Sequence, residues 1–269
     1  MTQPVDGKPS IQSRVTKPNA GIGRISAIIY GKTGVGKTTL LGTMPGKGLV
    51  IDIPQNEGGA YVLSDKSDRI DVVPVTTWND FEELYEWLRD RTKHQYSWVA
   101  IDSMTAAQGL AKRKATKERT LDADPYMTTM QDYGKIGNLM DDLNFKFRML
   151  PVHSIFIAQE ASRAGDGGGT AEVEPDMTPA TAKAVRPPQS LIGRLFIQEV
   201  DVDGKAVYER RLRVGPHPVY VTKCRAVPGR EVPAVIKNPN LTQIFGWLLG
   251  KEGATQPEGI EEQTVSFMV

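Results

Sequence analysis

Residues 31–38 read GKTGVGKT and fit the pattern G-x-x-x-x-G-K-[ST]. Gly31, Gly34 and Gly36 let the backbone curl until its N–H groups converge, as phosphate oxygens require. Lys37 brings a point charge to β- and γ-phosphates, and the Thr38 hydroxyl is an oxygen ligand for magnesium. The expected nucleotide-binding set is therefore Gly31, Lys32, Thr33, Gly34, Val35, Gly36, Lys37, Thr38 and Thr39. A second carboxylate-bearing element is WVAID (98–102), an apolar run ending in Asp102. At a strand end beside Thr38, Asp102 is the second expected magnesium anchor; its bland alternative is capping a helix that starts near Ser103. Hydrolysis also needs a group that positions or activates water. Glu57, in IDIPQNEGG, is the first candidate and Asp52 the second. Gln159, at the end of SIFIAQ, is placed to hydrogen-bond a γ-phosphate and report it to the segment that follows.

These residues need a sheet to hold them. RISAIIY (24–30) runs straight into Gly31 and reads as a buried strand, with a short helix through Leu41 after the loop. GLVIDI (48–53), IDVVPV (70–75), SWVAID (97–102) and VHSIFIAQ (152–159) read as further strands. Trp78, Phe81, Leu84, Tyr85 and Leu88 share one face of a helix, as do Ile136, Leu139, Met140, Leu143 and Phe147. Strands alternating with helices predict a parallel sheet between helical layers. Residues 164–188, rich in Gly, Pro, Thr and Ala, read as a long loop. LIGRLFIQEV and AVYERRLRV flank Asp203-Gly204 as a β-hairpin, and PVYVTK (218–223) reads as a third antiparallel strand. The predicted organisation is a flexible arm over 1–20, one ATPase domain over 21–250, and a flexible acidic tail over 251–269.

Composition limits the alternatives. The 269 residues are 39% hydrophobic and 24% charged, as in an ordinary globular protein. No apolar run is long enough to span a membrane, and MTQPVDGKPS lacks the apolar core of a secretory signal; a cytoplasmic protein is expected. Cys224 is the single cysteine, which excludes an intramolecular disulfide and a cysteine-built zinc site and leaves it a packing role. His94, His153 and His217 lack metal-ligand spacing, and Met127, Met130, Met140 and Met149 are expected in the core. A net charge of +1 means that any nucleic-acid contact must come from local patches.

In their order, GKTGVGKT, VAID and FIAQ with its glycine-rich sequel resemble the RecA-like recombination ATPases over roughly residues 24–236. The resemblance is to the compact phage-encoded nucleotide-binding or single-strand annealing proteins with a RecA-type core, an AAA-type ATPase domain. It implies a RecA-like P-loop NTPase core: a mostly parallel sheet flanked by helices, with a C-terminal antiparallel β extension. It implies ATP and magnesium as cofactors, and hydrolysis stimulated by single-stranded DNA. VTKCR (221–225) is similar to the K-x-R element with which RecA-like subunits reach a neighbour's nucleotide. On that likeness Lys223 and Arg225 act in trans, and head-to-tail copies of the chain build rings or filaments. One departure is local: Pro54, Gln55 and Asn56 stand between Asp52 and Glu57, whereas the family glutamate follows its aspartate closely.

The resemblance also places two DNA-facing segments. AKRKATKER (111–119) carries five basic residues, and 164–188 contains Lys183 and Arg186; Tyr126 and Tyr133 are the aromatic residues available for base stacking. The bland alternative for the basic run is a solvated helix face. A single-strand-binding protein is a further expected partner, and the host cytoplasm the expected compartment if a phage encodes the chain. Rival readings are a DNA-packaging or helicase-type motor, a small-molecule kinase, and an ATP-switched annealing scaffold with negligible turnover.

Overall fold

The computed structural model describes residues 23–54, 59–117, 128–163 and 171–260, together with Val15. Apolar runs of about one strand's length alternate with amphipathic helices, and they assemble as three layers. The strands are β1 (Ser26–Gly31), β2 (Gly48–Asp52), β3 (Ile70–Pro74), β4 (Trp98–Asp102) and β5 (His153–Arg163). Later come β6 (Glu172–Pro175), β7 (Leu191–Val202), β8 (Lys205–Arg213), β9 (Lys223–Cys224), β10 (Val235–Lys237) and β11 (Gly259–Ile260). The helices are α1 (Lys37–Leu41), α2 (Trp78–Leu88), α3 (Met104–Lys117), α4 (Met130–Met149), α5 (Pro179–Val185) and α6 (Leu241–Leu248), with a 3₁₀ segment over Gly59–Lys66.

Among the described residues the main strand order is β3-β2-β4-β5-β1-β7-β8-β10-β11. From β3 to β7 neighbouring strands are parallel; from β7 to β11 they are antiparallel. The sheet is thus the expected mostly parallel α/β core with an antiparallel extension, a P-loop NTPase fold. Because side chains alternate across a strand, β1 sends Ile28 and Tyr30 to one layer and Ala27 and Ile29 to the other. The first layer packs α2 to α5; the second packs α1, the 3₁₀ segment and α6. Helix α2 shows the local logic. Thr77 and Asp80 form a reciprocal capping box, and Trp78, Phe81, Leu84 and Leu88 recur on the buried face. Burial of Phe81, Leu84 and Leu88 contributes on the order of 1.5–3 kcal/mol each.

Several sequence expectations change. Strand β5 runs on to Arg163, so Gln159 lies within it and does not end it. Much of 164–188 is ordered: β6 pairs with β5, and Thr178 caps α5 with Pro179 in its first turn. Within that stretch Arg186 is ion-paired to the buried Glu174, which Arg163 also contacts at 2.6 Å, so Arg186 is committed internally. PVYVTK contributes only Lys223 to a ladder, because its backbone is spent elsewhere. Val219 and Tyr220 donate to the His217 ring, while Val219 and Val221 bond Val173. The outer edge of β8 is taken by β10 instead. Met130 and Met149 are exposed, unlike the buried Met140. Residues 251–260 were expected in the tail, yet Gly259–Ile260 pairs with β10. Residues 1–14, Glu57, Arg119, Tyr126 and Met127 lie outside the described residues.

Candidate nucleotide site

Parallel strands expose their C-terminal ends along one edge, and ligands of such sheets bind there. Register brings the expected residues to that edge. Gly31 pairs with Gln159 across β1 and β5, and Asp52 pairs with Asp102 across β2 and β4. The phosphate loop leaves β1 at Gly31 and enters α1 at Gly36, whose φ is 93°. This left-handed geometry is why residue 36 must be glycine; an added Cβ would also stand 2.8 Å from Arg210 Nε. Helix α1 is five residues long, so the field of its aligned peptides is small beside the Lys37 charge.

Lys37 is 6% exposed and its ammonium is hydrogen-bonded within the loop. It donates to the carbonyls of Gly31 at 2.9 Å and Lys32 at 2.8 Å, and to Gln159 Oε1 at 3.0 Å. Thr33 Oγ1 donates to the same Gln159 oxygen at 3.2 Å. One amide thus joins the loop lysine, the loop threonine and β5. Thr38 Oγ1 donates to Asp102 Oδ2 at 2.6 Å. A hydroxyl and a carboxylate side by side suit a hard cation that takes oxygen ligands, and Thr38 and Asp102 would hold magnesium between them and the phosphates. The capping alternative for Asp102 is met by its neighbour, because Ser103 Oγ accepts from Ala106 N–H at 3.3 Å. Thr33, Gly34, Gly36, Lys37, Thr38 and Asp102 line one cleft of about 340 Å³, walled by Gly59, Tyr61 and Val62.

Asp52 stands beside Asp102, and burial pushes its pKa above the usual carboxylate value. Lys223 and Arg225 are not brought to this loop. Ile192 of β7 pairs with Ile28 on one side and Lys223 on the other, and Arg225 N–H donates to Ser190 O, so both lie back from the C-terminal edge. Lys223 donates to Pro187 O; burial, then Arg225 and Arg148, lower its pKa. Cys224 is half-buried, and burial pushes its thiol up to about 12. On α3, Lys112, Arg113 and Lys117 are exposed, while Lys114 donates to Asn79 at 3.1 Å.

Two groups near the site escaped sequence reasoning. Glu160 makes a two-point ion pair with Arg194, at 2.9 and 3.4 Å, and the Arg194 guanidinium lies 4.3 Å from the Tyr220 ring. Glu160 follows Gln159 directly in the chain, but only the β1–β5–β7 pairing brings Arg194 to it. Arg210 and Tyr208 share one face of β8 and reach the phosphate loop from the hairpin; their period of two was the signal available.

A phosphate loop at the strand ends, a threonine–aspartate pair beside it and a parallel sheet beneath define a P-loop ATPase domain. The chain belongs to the AAA domain family, whose model matches residues 24–226. Among curated proteins, none matches the chain significantly. The family binds ATP, typically with magnesium. Among the described residues no helix is long and apolar enough to cross a membrane.

Proposed function

We propose that this chain hydrolyses ATP while acting on single-stranded DNA, as the RecA-like proteins with similar motifs do, and that it works as an assembly of its own copies. The observation that carries the DNA reading is the placement of α3. This helix starts next to Asp102 and displays Lys112, Arg113 and Lys117 with no acidic residue among its fourteen. A cationic face tied to the metal-anchoring strand end gives a phosphate backbone a route to the nucleotide. In the reaction, Lys37 neutralises charge on the transferred phosphoryl group, and Thr38 with Asp102 would hold a magnesium ion, which would supply further charge neutralisation. Gln159, bonded to Lys37 and Thr33, exchanges partners when a γ-phosphate arrives and passes the change along β5 to β6. Glu57 or Asp52 activates the water. Recombination or strand annealing is the setting this chemistry suits.

ATP hydrolysis measured with and without single-stranded DNA tests the reading; turnover should rise with DNA. Replacing Lys112, Arg113 and Lys117 with Ala should reduce the slope of log affinity against log salt by up to about 2, since each phosphate contact on a single strand contributes roughly 0.7. Turnover indifferent to DNA, with an unchanged slope, would return α3 to a solvated face.

A further inference from the structure

A second cleft, of about 530 Å³, opens on the other side of the phosphate loop. It shares Gly36 and Thr39 with the phosphate cleft and is bounded by Leu40, by Ile197, Tyr208 and Arg210 of the hairpin, and by Asn238. Its volume falls within the roughly 300–1,000 Å³ of small-molecule sites. The hairpin register explains how it forms. Ile197 pairs with Arg210 and Glu199 with Tyr208, so these side chains emerge on one face of the ladder, over α1. The Arg210 backbone carbonyl accepts from Asn238 N–H at 2.9 Å, which fixes the far wall.

We propose that this cleft receives the base and ribose of the nucleoside triphosphate, with Tyr208 stacking on the base and Arg210 contacting the α-phosphate. The proposal rests on reading Gly31–Thr38 as the phosphate site. Direction follows from the two clefts. Lys37, Thr38 and Asp102 line the smaller one and would anchor the γ end of the triphosphate there, with Tyr61 on its wall. The α end must then leave past Gly36 and Thr39, which are the residues both clefts share. There it meets a guanidinium close against Gly36, and among the described residues Arg210 has no ion-pair partner. Beyond it lie the apolar floor of Leu40 and Ile197 and the 70%-exposed Tyr208 ring. An apolar floor, an exposed ring and a cation at the phosphate end match a nucleoside.

Calorimetric titration of the full chain with magnesium-ATP and with magnesium-tripolyphosphate separates the two clefts. Tyr208→Ala should lose affinity for ATP by about tenfold, as stacking losses do, and bind tripolyphosphate like the unaltered chain. Tyr208→Phe should retain ATP binding, because the ring remains. Tyr208→Ala protein that is folded and binds ATP undiminished would overturn the proposal. So would a selective loss of ATP binding in Tyr61→Ala alone, which would put the base on the opposite wall. Failure of the underlying reading looks different: Lys37→Ala would then bind tripolyphosphate as well as the unaltered chain, and the proposal would fall with it.

Discussion

At the scale of single residues, spacing carried most of the phosphate site. The glycines of GKTGVGKT must stand where the backbone turns, and a lysine-threonine pair must follow, so the loop could be read without knowing its neighbours. Asp102 was legible for a related reason: an apolar run ending in one carboxylate puts that carboxylate at a strand end. The contact of Gln159 with Lys37, 122 residues apart in the chain, was not legible, because it depends on β1 and β5 being adjacent. Tyr208 and Arg210 were hidden more deeply; alternation gives their face, but only the fold lays that face over α1. Asp102→Ala should weaken magnesium-dependent nucleotide binding by about tenfold or more, equivalent to roughly 1.4 kcal/mol, while metal-free binding changes little. Titrations with and without magnesium read this directly; equal losses in both would remove Asp102 from the metal. Glu57→Gln should keep ATP bound and slow its cleavage. If single-turnover cleavage by Glu57→Gln is normal, the water-activating role passes to Asp52, and Asp52→Asn must show the loss.

At the scale of elements, hairpin and amphipathic helices were readable because each is determined by local chemistry. Asp203 and Gly204 both adopt positive φ, at 54° and 74°, as a tight two-residue hairpin turn requires. The segment after Gln159 misled because glycine, proline, threonine and alanine together dominate its composition. Its Thr178-Pro179 pair was nonetheless a helix start signal. PVYVTK joins a ladder only at Lys223, because β6 and the neighbouring His217 ring take much of its remaining backbone. Packing at the start of β2 gives a sharp stability prediction. A Cβ at Gly48 would come within 2.0 Å of the fully buried Trp98 ring, so Gly48→Ala must push β2 from β4 or move the indole. A loss of about 1–3 kcal/mol is expected in denaturant unfolding; unchanged stability would mean that the strand pair yields freely. His153 supplies a pH prediction. Its Nδ1 accepts from Ile25 N–H at 2.9 Å, and burial, with a smaller effect of Lys251, lowers its pKa to about 4. A depressed folded pKa means that the neutral ring stabilises the fold above the unfolded value near 6.5. That contribution is lost as pH falls from about 6.5 through 4. Thermal melting should decline across this window, and His153→Gln, which keeps an acceptor, should flatten the decline attributable to this site. An identical profile in the variant would assign the acid loss to other groups.

At the scale of the whole molecule, the three-layer architecture was legible because alternating strands and helices leave few other ways to bury both faces of a sheet. Assembly of copies is an expectation that rests only on the resemblance of VTKCR. Lys223 and Arg225 stand back from their own phosphate loop, and the proposal that they serve a neighbouring copy has a direct test. Lys223→Ala protein should bind nucleotide yet hydrolyse little, and mixing it with Lys37→Ala protein should restore part of the activity at mixed interfaces. No recovery despite demonstrated subunit exchange would confine each site to one chain. The central claim is narrower than any assembly: residues 31–38 bind the triphosphate of ATP, and Lys37 is indispensable to its cleavage. Steady-state phosphate release by the unaltered chain and by Lys37→Ala, both checked as folded by circular dichroism, measures it most directly. The account predicts turnover that falls at least about a hundredfold in the variant, a loss of roughly 2.7 kcal/mol of transition-state stabilisation. A folded Lys37→Ala chain releasing phosphate at the unaltered rate would contradict it.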